Sequence, residues 1–175
     1  MDNTWTKLRD IAEINAKWLT LFCEEYRKPS GDTCVYWRVE RADSLIVVPL
    51  FNNDVLLPAP DYRPGIEKTT LDLPGGRVTD VSTTGLAEAA TQLVSRELGV
   101  PVDAVSDVKL VDGSGTYVNS SLSNQRLYVA QARLRDIDPS RGAILQHPIQ
   151  DLDHLVAQLE CLQCAYALTR FQRTL

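Results

Sequence analysis

The spacing of apolar residues divides this chain into short strands and two longer helical stretches. Across residues 3–16, Trp5, Leu8, Ile11 and Ala12 recur at helical spacing and predict a short N-terminal helix. Residues 18–26 and 33–41 read as two strands joined by a loop centred on Pro29-Ser30-Gly31-Asp32. The run SLIVVPLF, residues 44–51, is apolar throughout and long enough for a strand buried on both faces. Asn52-Asn53-Asp54 then makes a turn, and Val55-Leu56-Leu57 pairs back as the second arm of a hairpin. Pro58 and Pro60 stop regular pairing.

Residues 71–100, LDLPGGRVTDVSTTGLAEAATQLVSRELGV, organise the rest. They predict a short strand, a tight turn at Gly75-Gly76, a polar loop and one amphipathic helix. Thr83 or Thr84 can cap that helix by accepting a hydrogen bond from a free backbone N–H of the first turn. Leu86, Ala89, Ala90, Leu93 and Val94 form its apolar stripe, and Gly99 suits a left-handed residue just past its end. Pro101 cannot continue the helix. Residues 107–112 and 126–134 read as strands around a Gly/Ser/Asn loop at 113–123. Residues 151–171 close the chain as a helix with Leu152, Leu155, Val156, Leu159 and Leu162 in one stripe.

Composition narrows the class without naming a chemistry. The 175 residues suffice for one domain with a sizeable core, and a 44% hydrophobic content suits a soluble globular protein. A net charge of −5 without a basic stripe argues against nucleic-acid binding. No run approaches the roughly 18 apolar residues of a membrane span, and the N-terminus carries no signal-peptide core, so a cytoplasmic protein is expected. Four cysteines do not make a secreted disulfide framework.

The strand–loop–helix of residues 71–100 resembles the Nudix box, Gx5Ex7REUxEExGU with U aliphatic. Leu73-Pro74-Gly75-Gly76, Ala89-Ala90 and the exit Glu97-Leu98-Gly99-Val100 carry the likeness. The order of strand, hairpin, Tyr62-Arg63 and Pro-Gly-Gly is similar to that of the ADP-ribose pyrophosphatase-like branch, and the likeness covers residues 18 to about 134. The resemblance implies an α/β/α sandwich with a mixed sheet, here an α+β chain with an N-terminal helix and strand pair and a C-terminal helix. It implies a single domain over 1–175, with 1–41 as the N-terminal extension and 42–175 as the core.

The charges of the box are largely missing. The family's Arg-Glu falls on Gln92 and Leu93, and its adjacent glutamates fall on Arg96 and Glu97. The early glutamate falls on Ser82, or on Thr84 if the loop holds an insertion. Segment 135–150, where the family brings a further catalytic glutamate, has none. In the family those carboxylates hold divalent metals against a substrate diphosphate. Magnesium wants hard oxygen ligands in near-octahedral geometry, which one carboxylate does not provide.

Each candidate has two readings. Glu97 is a residual metal ligand or a solvated helix carboxylate paired with a neighbour. Arg63 is a phosphate or ribose contact, as the Tyr-Arg motif implies, or a surface arginine. Gly75 and Gly76 line a ligand site or simply serve a sharp turn. Tyr36, Trp37 and Tyr62 stack an adenine or pack on a sheet. Cys161 and Cys164 form a CxxC, but on one continuous helix they and His154 spread over about 15 Å, too far for one zinc ion. Buried thiols on the apolar stripe are the expectation.

The reading that follows is a Nudix-fold protein without metal-dependent diphosphate hydrolysis and with no cofactor expected. It would serve as a nucleotide-sugar-binding or protein-interaction module, with Arg63, Gly75 and Gly76 as ligand-binding residues and Glu97 as a remnant metal ligand. The alternative is an active hydrolase that cleaves ADP-ribose or a related nucleoside diphosphate-linked substrate with Mg2+ or Mn2+, using Glu97, backbone carbonyls and Asp72, Asp80 or Asp61. A structural subunit with a vestigial cleft is a third. The aromatics Trp18, Phe22, Tyr26, Tyr36 and Trp37 of the strand pair suit an interface, and a homodimer is expected.

Overall fold

The computed structural model describes residues 3–140 and 143–175. Eleven strands and three α-helices, with two short 3-10 turns, follow one another along the described chain. They are β1 (Thr6–Ala16), β2 (Leu19–Arg27), β3 (Thr33–Glu40), β4 (Asp43–Phe51), β5 (Asp54–Leu57), β6 (Asp61–Arg63), β7 (Lys68–Thr70) and β8 (Gly75–Val78). After these come α1 (Thr83–Leu98), β9 (Val105–Tyr117), β10 (Arg126–Leu134), β11 (Leu145–Pro148), α2 (Leu152–Gln158) and α3 (Leu162–Gln172). The chain divides into two compact units, the first made of residues up to 42 together with 117–126.

That first unit is an antiparallel meander, β1-β2-β3. The expected N-terminal helix is therefore a strand. The reason lies in its register: Lys7 faces Tyr26 and Arg9 faces Glu25, and Asp10 faces Glu24 and Ala12 faces Cys23, so Leu8 and Ile11 are the extra residues of two bulges. A bulge adds one residue to a strand whose ordinary period is two. Two of them space apolar side chains three apart and imitate a helix.

One face of this sheet carries Ile14 and Leu21 from β1 and β2, and Val35, Trp37 and Val39 from β3. Ile14 is 55% exposed, Val35 55% and Trp37 47%. The other face holds Glu24, which is fully buried. It accepts hydrogen bonds from Arg38 Nε at 2.6 Å, Tyr26 Oη at 2.8 Å and Lys7 Nζ at 3.0 Å. The Arg38 guanidinium, helped by Lys7 and Tyr26, outweighs the cost of burial and holds the Glu24 carboxyl at about 2. A buried carboxylate is tolerated only with such partners.

The second unit holds a six-stranded mixed sheet in the order β11-β5-β4-β10-β9, with β8 also paired to β4. β4 is the apolar run predicted from sequence, and it runs parallel to β10 and antiparallel to β5 and β8. Its alternating side chains feed two layers. Leu45 and Val47 join one cluster with Leu86, Ala90, Leu93 and Val94 of α1. Ile46, Val48 and Leu50 point to the opposite face, and α3 also packs against β4. The C-terminal segment supplies Leu152, Leu155, Leu168 and Phe171 as buried side chains.

Local details depart from the sequence expectations. Gly75 and Gly76 are not a tight turn but the start of β8, paired antiparallel with Ile46 and Leu45. The cap of α1 is Ser82, whose hydroxyl accepts from Gly85 N at 3.1 Å, rather than Thr83 or Thr84. Gly99 ends α1 at φ 67°, as the sequence predicts. The first part of the expected 113–123 loop is strand, because β9 runs on to Tyr117. The closing helix is broken: α2 stops at Gln158 and α3 starts at Leu162. Leu159 and Cys161 both adopt extended backbone at the break, yet Leu159 stays buried and so preserves the apparent stripe. Part of the glutamate-free segment 135–150, Arg141 and Gly142, lies outside the described residues.

Candidate functional site

A cavity of about 440 Å³ opens in the second unit between the β6–β7 hairpin, the start of β8 and the residues that precede α3. It brings together Arg63, Gly75 and Glu97, three of the residues singled out from sequence. Thr70, Asp72, Glu160, Cys161 and Cys164 share its wall.

Arg63 ends β6, an arm of the short hairpin that β7 completes through pairs such as Tyr62 with Thr69. Its Nε donates to Asp72 Oδ2 at 2.8 Å, and Nη1 lies 3.4 Å from Asp61 Oδ2. Partial burial opposes the charge of Arg63, but the adjoining Asp72 raises its pKa above the ordinary arginine value. Thr70 Oγ1 donates to the same Asp72 oxygen at 3.1 Å. The other oxygen, Oδ1, lies 3.6 Å from Cys164 Sγ.

At Gly75, on the cavity wall, an added Cβ would stand 2.4 Å from Ile46 Cδ1, so the end of that side chain would have to shift. Gly76 looks the other way, and its added Cβ would meet Leu93 Cδ2 at 2.6 Å. Leu93 itself is buried in the layer beneath α1. Its close seat on Gly76 replaces what the box resemblance would make a glutamate with a packing contact. Glu97 points into the cavity, where its Oε1 accepts from Arg96 Nη2 at 2.7 Å and Nε at 3.0 Å.

Every carboxylate of the wall thus has a cation beside it. Asp72 has Arg63, Glu97 has Arg96, and Glu160 has Lys68 at 3.3 Å. Such pairs leave a polar wall with little spare negative charge for a hard divalent ion. Asp80 lies elsewhere, accepting from Ser82 N at 2.9 Å ahead of α1. Of the positions that the resemblance aligns with the box's carboxylates, Glu97 alone lines this cavity.

The remaining candidates separate. Tyr62 is 54% exposed on its hairpin. Tyr36 and Trp37 belong to the three-stranded sheet, where Tyr36 Oη donates to Ser121 O and its ring meets Trp5 and Tyr26 edge-on. His147 and His154 stack on one another with centroids 6.1 Å apart.

The pair Cys161 and Cys164 is placed differently from the sequence expectation. Cys161 is the N-cap of α3 and only Cys164 lies within the helix, where it is buried. Cys161 is partly exposed on the cavity. Its thiol is pulled down to about 6 by the Cys164 S–H and by the backbone N–H groups of Cys164 and Gln163, which together outweigh burial. The same contact and burial push the Cys164 thiol up. No spacing signal joins Asp72 to this pair, and the uninterrupted leucine stripe hides the helix break that positions it.

No protein-family model matches the chain, and no curated protein matches it. A solved structure described as "Crystal structure of ADP compounds hydrolase" matches with a TM-score of 0.79 and 16% identity, covering 97% of this chain and 93% of that chain. At that identity the likeness establishes the fold alone. The fold is a Nudix-type α/β/α sandwich with a mixed sheet.

Proposed function

We propose that this protein binds a nucleoside diphosphate sugar or a related compound in the Arg63 cavity and has lost metal-dependent hydrolysis. One observation carries the reading: two side chains of α1 at box positions are engaged in packing and pairing. Leu93 is seated on Gly76, and Glu97 is held by Arg96. A diphosphate would be met by Arg63, whose planar fork suits phosphate oxygens and whose side chain remains 46% exposed despite its bond to Asp72. The solved structure's title, a hydrolase of ADP compounds, supports this ligand class. No helix among the described residues is long and apolar enough to cross a membrane, and the reading places the protein in the cytoplasm.

Calorimetric titration of ADP-ribose into the protein with a chelator present tests the binding. Saturable heat at one site per chain is expected. Absence of binding by any nucleoside diphosphate compound would overturn the ligand reading and favour a protein-interaction module.

The hydrolase alternative draws on Asp72 and Glu97, which line one cavity. It requires both to exchange their arginine partners for a metal.

The apolar face of the three-stranded sheet supports a homodimer. Ile14, Val35 and Trp37 leave a contiguous apolar surface on a small sheet, which is marginal unless that face is covered. Light scattering coupled to size exclusion is expected to give twice the 19.5 kDa chain mass. A monomer at micromolar concentration would contradict the dimer.

A further inference from the structure

The CxxC at the start of α3 faces the cavity, and ligand binding leaves it without a role. Its two sulfurs and an Asp72 oxygen lie within 4.8 Å of one another. The two cysteines differ in position. Cys161 sits partly exposed ahead of the first helical turn, while Cys164 lies one turn in, 2% exposed, with its Sγ 3.6 Å from Asp72 Oδ1. The two sulfurs must close from within 4.8 Å to about 2.05 Å to form a disulfide, and Cys161, at the N-cap, lies outside the regular helical turn that fixes Cys164. The other thiols lack such a partner. Cys23 faces Trp37 and Cys34 faces Tyr26, on opposite faces of the three-stranded sheet.

We propose that Cys161 and Cys164 form a redox dithiol that exchanges with low-molecular-weight disulfides entering this cavity. The Cys161 thiolate attacks one sulfur of the small disulfide, forming a mixed disulfide and expelling one small thiolate, which takes up a proton. The Cys164 S–H then passes its proton to Asp72 Oδ1 as its sulfur attacks Cys161 Sγ. That step closes the intramolecular bond and expels the second small thiolate, which takes the proton from Asp72. The protein dithiol loses two electrons, and the small disulfide gains them and becomes two thiols.

The surroundings suit this order of events. The charged or titratable groups that share the cavity wall with Cys161 are Cys164, Asp72, Glu97, Glu160 and Arg63. Backbone N–H groups at the head of α3 favour the Cys161 thiolate, and its low pKa agrees with the role of attacking sulfur. Arg63 and Thr70 hold Asp72 Oδ2, which leaves Oδ1 to meet Cys164. A zinc site is less well served. The described residues bring only these three donors together, and Asp72 already carries a guanidinium at 2.8 Å. The inference does not depend on which nucleotide the cavity takes.

The test uses the full reduced chain, oxidised glutathione as the disulfide, and intact and peptide mass analysis. Wild type is expected to lose two thiols and carry a Cys161–Cys164 disulfide without retained glutathione. Cys164→Ser should trap one glutathione on Cys161, and Cys161→Ser should stop exchange at this pair. Modification at Cys161 should outrun that at Cys34 by about tenfold or more. Circular dichroism of each variant checks that the fold is kept. Glutathione retained on wild-type Cys161 without closure, or equal modification of Cys34 and Cys161, would overturn the dithiol. Stoichiometric zinc in the purified protein that blocks exchange until chelated would also overturn it and assign the three donors to a metal.

Discussion

The two sides of the cavity both pair their carboxylates with a cation but differ in what those pairs connect to. On the α1 side, Glu97 is tied to its own neighbour Arg96, while Leu93, behind the wall, is buried against Gly76. On the wall formed by the β6–β7 hairpin and α3, short segments hold Arg63, Thr70, Asp72, Cys161 and Cys164 in one connected set. The comparison teaches that a recognisable helix frame is set by apolar packing, which survives changes in surface charge. The connected polar set lies on segments with no periodic pattern of their own.

Breaking each wall should give different kinds of effect, and the largest is structural. Leu93→Ala removes a buried side chain between α1 and β8 and should cost about 2–5 kcal/mol in urea unfolding. A loss under about 1 kcal/mol would mean that the α1 wall is not fixed by packing.

On the opposite wall the effect should fall on binding. Arg63→Ala should weaken ADP-ribose by about 1.5–3 kcal/mol, tenfold or more, while Glu97→Gln leaves metal-free affinity unchanged. Equal affinity of wild type and Arg63→Ala would remove Arg63 from the site. The Cys161 thiol, pulled below its ordinary value to about 6, should show a pH-dependent alkylation rate. Between pH 5 and 7 that rate should rise roughly tenfold as the thiolate forms, then level off. A rate still climbing steeply above pH 8 would contradict the helix-head environment.

The smallest effect belongs to the Arg96–Glu97 pair. Its members are neighbours in sequence and Arg96 is 63% exposed in its side chain. Arg96→Gln should change stability by only about 0–1 kcal/mol. A larger loss would show that the pair holds the helix rather than merely occupying Glu97.

How much of this was legible in the sequence depends on what each element is made of. β4 was legible because SLIVVPLF has no polar break, and α1 because its stripe and Gly99 agree. The resemblance to the Nudix box led to the right fold through glycines and small residues. β1 is not legible as a strand because Leu8 and Ile11 sit at bulges, which only the pairing with β2 reveals. The α2–α3 break was invisible because Leu159 keeps the apolar stripe in phase. Asp72 and Cys164 lie 92 positions apart, so their meeting is a product of packing alone.

The central claim is that the α1 wall no longer supports metal-dependent hydrolysis, and release of AMP from ADP-ribose tests it most directly. Purified protein with Mg2+ or Mn2+ is predicted to release no AMP above a control without protein. AMP release that Glu97→Gln abolishes would contradict the account and make this chain a working hydrolase.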